Sequence, residues 1–208
     1  MVNNDILYVS EWLAFSLPLN KNISKYKAFL YKYYDRIKRV LKLRKCVLYK
    51  FNMKENKLEV VSNSYGLDNN GVAYDKDNKL LFMALTLDKN IRVYQLNEKG
   101  DVIKVVKDIS TGYTLDNLYF DNSSKLLFAA IMGIAKNNFE FLDPSKGIKK
   151  DQVFGGILVY DFKKDDKPVY TFLQNHFIKE VSSGMIIGDN IYLSSFYDKG
   201  ILKCEKLK

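Results

Sequence analysis

Apolar and polar positions alternate with a period of two along most of the chain, and polar clusters interrupt them at short intervals. This alternation is typical of β-strands that bury one face, and clusters of Asn, Asp and Ser are typical of turns between strands. The pattern predicts an all-β fold with short strands, among them residues 5–9, 91–94, 102–106, 156–160 and 169–172.

A repeat with an offset of 46 residues is the strongest internal signal. Residues 70–84 align without a gap on residues 116–130, and Asp, Lys, Leu, Leu, Phe and Ala recur at equivalent positions. A weaker third copy starts near Ser183. A period of about 40–50 residues with several strands per repeat is typical of propeller blades. We therefore predict a single incomplete propeller domain over residues 1–208, with about three to four four-stranded blades and a blade-loop insertion at residues 136–156.

Residues 12–45 break the strand pattern and predict a helical insertion. Apolar residues recur there with helical spacing, and between positions 21 and 50 there are eleven Lys or Arg and a single acid. Two interpretations stay open: a solvated helix that packs on the propeller by its aromatic side, or a helix that meets an anionic membrane surface. The candidates for the membrane surface are Lys25, Phe29, Lys32, Tyr33 and Arg36. No nucleic-acid recognition motif accompanies the net charge of +9, so we expect no nucleic acid as partner.

Other features of the sequence bear on the cellular compartment and on the role of the cysteines. Residues 1–20 show no basic segment of a signal peptide, and no apolar run reaches the length of about 18 residues that spans a membrane. As written, the sequence therefore predicts a cytoplasmic chain. Two cysteines, Cys46 and Cys204, make neither a zinc cluster nor a disulfide framework, and we expect two free thiols.

Several segments together resemble the later half of the serum paraoxonases and arylesterases. They are LYVSE at 7–11, the helical insertion, NNG at 69–71, LDN at 115–117 and residues 184–204. The resemblance implies a six-bladed, calcium-dependent propeller that hydrolyses small carboxylic esters or lactones. It also implies that the protein is secreted or membrane-associated if the chain is part of a longer product. A closed ring of that kind needs roughly 300–350 residues, so this chain would supply only part of it.

The resemblance also implies a calcium site. Three of the family's ligands to the catalytic calcium fall on Asn70, Asp116 and Asn117, and a fourth, which is normally Asn, falls on Glu11. Carboxylate and amide oxygens suit a hard cation such as Ca²⁺. Asn70 and Asp116 are equivalent positions of the repeat, and equivalent positions of successive blades converge on one axis, so we expect these oxygens to meet.

The chain departs from the family at its catalytic positions. The histidines to which proton transfer has been assigned belong to the segment that precedes this chain in the family, and a further family histidine falls on Met132. An aspartate of a second calcium site falls on Trp12, and the single histidine present, His176, has an ordinary strand context. We therefore assign no catalytic residue.

Two functions remain open from the sequence. One is a calcium-dependent esterase or lactonase, impaired because the N-terminal half of the family's propeller is missing, unless self-association or a longer product supplies the absent blades. The other is a non-catalytic propeller that serves as a binding or assembly module, with a membrane surface as one candidate place for it. Open propeller edges predict self-association in either case.

Overall fold

A computed structural model describes residues 5–11, 46–133, 155–162, 166–174, 181–195 and 198–205, together with residues 24, 33, 164, 177 and 178. These residues form four antiparallel sheets, which we call blades 1 to 4 in chain order.

The strands follow one another along the chain and pair with their neighbours within each blade. Blade 1 contains β1 (Ile6–Ser10), β2 (Leu48–Asn52) and β3 (Lys57–Val60). Blade 2 contains β4 (Asn69–Asp75), β5 (Leu80–Leu85), β6 (Asn90–Leu96) and β7 (Val102–Ser110). Blade 3 contains β8 (Thr114–Asp121), β9 (Leu126–Gly133), β10 (Gly155–Tyr160) and β11 (Pro168–Gln174). Blade 4 contains β12 (Val181–Ile187), β13 (Asn190–Ser195) and β14 (Ile201–Glu205).

This arrangement is a partial β-propeller, which confirms the predicted fold class. The first strands of blades 2, 3 and 4, namely β4, β8 and β12, lie side by side as the inner strands of the arc. The predicted helical insertion at 12–45 lies outside the described residues except for Ser24 and Tyr33, so the helix stays a prediction. The predicted loop insertion at 136–156 also lies outside them, apart from Gly155 and Gly156, which belong to β10.

The turns inside blades 2 and 3 show the repeat in three dimensions. Asp75 accepts hydrogen bonds from the backbone of Asp77 and Asn78, and Asp121 accepts them from the backbone of the two serines that follow it. Lys79 and Lys125 end these turns with φ values of 54° and 62°. Carboxylate-capped turns with a left-handed residue reverse the chain within a few residues, and the sequence repeat therefore encodes two equivalent hairpins.

Three apolar cores separate the four blades. The core between blades 1 and 2 includes Leu48, Met83 and Tyr94, and the core between blades 3 and 4 includes Ile157 and Leu193. The core between blades 2 and 3 holds aromatic rings, since Phe82 stacks on Phe120 and Phe162 at 5.6 and 4.8 Å between ring centroids. Each blade therefore buries a face against its neighbour, as the alternation of apolar and polar positions predicts.

Polar contacts at the periphery tie blade 1 to blade 2. The hydroxyl of Tyr8 donates a hydrogen bond of 2.6 Å to the carbonyl of Gly100, and the ammonium of Lys50 pairs with Asp101.

No helix among the described residues is long and apolar enough to cross a membrane.

Arg92 fixes the loop that leads from blade 1 into blade 2. Its guanidinium binds both carboxylate oxygens of Asp108 at 2.7 Å, and it also donates to the carbonyls of Asn63 and Tyr65. A planar guanidinium can serve a carboxylate and two carbonyls at once, which an ammonium cannot match. The loop that precedes β4 is thereby held against the outer strands of blade 2.

Candidate metal centre

Each inner strand carries a β-bulge near its start. In β4 the bulge holds Asn70 and Gly71, in β8 it holds Asp116 and Asn117, and in β12 it holds Ser182. A bulge adds a residue to one strand and changes the direction of the side chains there. The three bulges bring polar groups from three consecutive blades to the same end of the arc.

Asn70 and Asp116 meet, as the repeat predicts. The amide nitrogen of Asn70 donates a hydrogen bond of 2.7 Å to Oδ1 of Asp116. Gly71 permits this approach, since a Cβ there would lie 2.6 Å from Cα of Asn117 and would overlap the amide nitrogen of Leu118. The glycine therefore fixes how close β4 and β8 can lie.

Asp116 is a buried acid without an ion pair. Its exposure is 7%, and none of the salt bridges found among the described residues involves it. Burial raises the pKa of Asp116 to about 6, although the hydrogen bond from Asn70 opposes the shift. A desolvated carboxylate whose donors among the described residues are amides is a group that a bound cation would stabilise.

Asn117 reaches the next blade. Its amide nitrogen donates to the carbonyl oxygen of Ser182 at 2.9 Å and lies 3.4 Å from Oδ1 of Asp116. The Ser182 hydroxyl in turn lies 3.3 Å from that of Ser194. Ser182 was not among the predicted site residues, because its contribution is a backbone carbonyl. The one sequence signal was the third copy of the repeat, whose start was placed a single residue later.

Glu11 is positioned differently from the other predicted ligands. Its carboxylate accepts a hydrogen bond of 3.1 Å from the backbone amide of Val47, and its own amide donates to the carbonyl of Val47. These bonds join the end of β1 to the start of β2. The hydrogen bonds of Glu11 thus belong to blade 1, whereas Asn70, Asp116 and Asn117 form one connected group.

The remaining predicted residues fall in several places. Met132 is buried with an exposure of 4%, and neither Cys46 nor Cys204 forms a disulfide among the described residues. Tyr33 is exposed at 56%. Trp12, Lys25, Phe29, Lys32, Arg36 and His176 lie outside the described residues.

The chemistry of the connected group fits part of a calcium site. The donors are one carboxylate, two side-chain amides and one carbonyl, all of them sources of hard oxygen ligands. Both amides direct nitrogen toward Asp116 here, and a half-turn of an amide exchanges its nitrogen for its oxygen. Among the described residues, no three His, Cys, Asp or Glu side chains form a cluster suited to a metal. The set therefore supplies fewer oxygens than the six to eight that calcium takes, and a complete site needs further ligands.

The family model of the arylesterases matches residues 20–147, which is more than half of the chain. This chain belongs to the arylesterase family. The match includes the bulges of β4 and β8 and therefore the polar group at Asp116. No curated protein matches the sequence.

Two solved structures are similar to this arylesterase-family chain. A luciferin-regenerating enzyme aligns with a TM-score of 0.50 at 14% identity, over 73% of this chain and 44% of the other. A gluconolactonase from Xanthomonas campestris aligns with a TM-score of 0.47 at 12% identity, over 72% and 41%. The chain thus spans less than half the length of these two structures. At 14% identity, the similarity to the luciferin-regenerating enzyme supports the fold alone.

Proposed function

We propose that this arylesterase-family chain supplies part of the calcium site of a hydrolase that acts on small carboxylic esters or lactones. The observation that carries the proposal is the buried carboxylate of Asp116, which has amide groups from two blades around it and no cationic partner among the described residues. A calcium ion, when bound, would polarise the substrate carbonyl and stabilise the oxyanion that forms on it.

Four residues of this chain would contribute to binding the calcium ion. Asp116 would supply the negative charge, and Asn70 and Asn117 would supply amide oxygens. The carbonyl of Ser182 holds the Asn117 amide at 2.9 Å and would limit its rotation. Glu11 stays a proposed fourth ligand, which would first have to leave the amide of Val47.

A calcium titration with a matched pair of variants tests the metal site. Calcium should raise the unfolding temperature of the wild-type chain, since a ligand that binds only the folded state at about 100 times its Kd stabilises it by about 2.7 kcal/mol. Asp116→Ala should lose this increase. Asp121→Ala removes another aspartate from the same strand and should keep it, although its turn becomes weaker. An equal response of both variants to calcium would exclude Asp116 as a ligand.

Hydrolysis is measured on the same samples with phenyl acetate and a γ-lactone. The esterase proposal expects calcium-dependent turnover that Asp116→Ala abolishes. Met132 favours the alternative, a non-catalytic binding or assembly module, because a buried thioether stands at the position of a family histidine and cannot transfer a proton. Calcium binding without any turnover would select this alternative.

Two partner proposals accompany the function. Lys25, Phe29, Lys32, Tyr33 and Arg36 are proposed to meet an anionic membrane surface, because they combine positive charge with aromatic rings. Sedimentation with vesicles tests this proposal: binding that is equally weak with and without anionic lipid would exclude an electrostatic surface role. We also propose that the chain associates with itself through open sheet surfaces.

A further inference from the structure

Thr86 places a buried hydroxyl between blade 2 and blade 3. The residue follows β5 directly, and its exposure is 1%. Its hydroxyl donates a hydrogen bond of 2.8 Å to the carbonyl of Leu115, which immediately precedes Asp116 in β8. A buried hydroxyl is costly unless it is hydrogen-bonded, so this bond holds the peptide between Leu115 and Asp116 against blade 2.

The backbone of Thr86 is bound as well, to the segment that enters β4. Its amide donates a hydrogen bond of 3.1 Å to the carbonyl of Asp68, which stands two residues before Asn70. Thr86 is therefore joined on one side to the segment that carries Asn70. On the other side it is joined to the peptide that carries Asp116.

Both of these segments lie where the strand pairing is irregular. The register of β4 with β5 shifts between Asn69 and Val72, and the register of β8 with β9 shifts on both sides of Leu115. A bulge disrupts the ladder of hydrogen bonds that otherwise fixes a strand. Contacts from neighbouring elements, such as the two that Thr86 makes, therefore matter more at these positions.

The repeat shows that a blade does not need a hydroxyl at this position. With the offset of 46 residues, Thr86 corresponds to Met132 in blade 3, and both residues are buried. The five residues before them, 81–85 and 127–131, are apolar in both blades. A thioether has no hydrogen to donate, so Met132 cannot make the bond that Thr86 makes. The hydroxyl thus belongs to the one of these two blades whose neighbour carries Asp116.

We propose that Thr86 is a positioning residue for the group around Asp116, and that its two hydrogen bonds place Asn70 against Asp116 through the backbone that carries them. The consequence for calcium rests on the proposed function, whereas the placement of the two side chains does not. Groups that orient the ligands of a metal typically change its affinity by about 10–100-fold when they are removed.

Nuclear magnetic resonance of the metal-free chain tests the placement. The side-chain amide of Asn70 donates to Asp116 and should give a shifted signal, which is identified by its loss in Asn70→Asp. Thr86→Val keeps the shape of the side chain without the hydroxyl and should move this signal toward that of an amide in water. Thr86→Ala removes the same hydroxyl and serves as a second variant. Thr86→Ser should restore the wild-type signal.

Calorimetry with calcium gives the second readout. Thr86→Val should raise the Kd for calcium about tenfold, and Thr86→Ser should stay within about twofold of the wild-type chain. Thr111→Val is the matched control, because the Thr111 hydroxyl also lies 2.8 and 3.0 Å from backbone carbonyls, those of Lys89 and Tyr113. This control should leave the Asn70 signal and the Kd unchanged. Circular dichroism verifies that every variant keeps its strands.

Three results would overturn the positioning role. One is an Asn70 signal that stays the same without the Thr86 hydroxyl. Another is a failure of Thr86→Ser to restore the signal, and the third is an equal change in Thr111→Val, which would mean a general loosening of the junction. A wild-type chain that binds no calcium would contradict the proposed function instead, and the Asn70 signal would still decide the role of Thr86.

Discussion

At the scale of single residues, Asp116 links the fold to the proposed chemistry. Its carboxylate is buried among amides, and folding raises its pKa from the ordinary value of 3.8 to about 6. A raised pKa means that the folded state binds the proton more tightly than the unfolded chain does. Without metal, the stability that this proton contributes is therefore complete below pH 4 and is lost as the pH rises through 6.

Replacing the carboxylate by a neutral isostere should remove this pH dependence. We expect Asp116→Asn, in the presence of a calcium chelator, to be more stable than the wild-type chain at pH 8 by about 1–2 kcal/mol, and similar to it near pH 4. Urea unfolding at both pH values measures the difference. A wild-type chain that gains stability from pH 4 to pH 8 relative to Asp116→Asn would contradict the assignment.

Gly71 allows β4 and β8 to lie close together, and a larger residue at this position should push the two strands apart. Gly71→Ala places a methyl group against the backbone at Asn117 and Leu118, and we expect a loss of about 2–4 kcal/mol in the free energy of unfolding. Gly200→Ala is the control, because a Cβ at Gly200 meets no atom within 4 Å. Denaturant unfolding compares the two, and equal losses would mean that the close approach has no special cost.

How far the site could be predicted from sequence depends on the kind of group involved. Asn70 and Asp116 lie within hydrogen-bond distance, as their equivalence in the repeat predicts, although the amide nitrogen of Asn70 and not its oxygen faces Asp116. The hydrogen bonds of Glu11 lie within blade 1. The family resemblance identifies the position of Glu11, but it does not show that the backbone amide of Val47 binds its carboxylate. Ser182 was not predicted, because every residue has a carbonyl oxygen and the sequence does not distinguish this one. The bulge of β12 places the carbonyl of Ser182 next to the amide of Asn117.

At the scale of secondary structure elements, alternation and turn chemistry predicted most of the strands. The hairpins of blades 2 and 3 follow directly from the repeated turn sequences. Strand β3 was not predicted, since it has four residues, all of them exposed, two of which are charged. The bulges were not predicted either, because a shift in pairing depends on the partner strand as much as on the bulged residue.

The loop between blades 1 and 2 depends on the shape of one side chain. Arg92→Lys keeps the positive charge but cannot make the paired contacts with Asp108 and also reach the carbonyls of Asn63 and Tyr65. We expect a loss of about 1–2 kcal/mol, together with faster hydrogen exchange in residues 61–68. Lys104→Arg, a change of similar size on β7, should leave the exchange of this loop unaltered.

At the scale of the whole molecule, the polar group runs across blades 2, 3 and 4. Asn70, Asp116, Asn117 and Ser182 connect the three inner strands through a continuous series of hydrogen bonds. A cation in this position would join three sheets that otherwise meet through apolar cores and a few polar contacts, such as the hydrogen bond from the Thr86 hydroxyl to the carbonyl of Leu115. Its effect on stability should therefore appear in all three blades at once, and hydrogen exchange with and without calcium would reveal it.

Blade 1 is joined to blade 2 by an ion pair in addition to an apolar core, and this has a consequence for the response to salt. The ion pair of Lys50 with Asp101 joins the two sheets at the rim of the arc, where counter-ions can reach the partly exposed carboxylate of Asp101. Rising ionic strength weakens such rim attachments before it affects buried cores. The first step of unfolding in concentrated salt should then be the detachment of the N-terminal sheet, with the other three sheets still assembled.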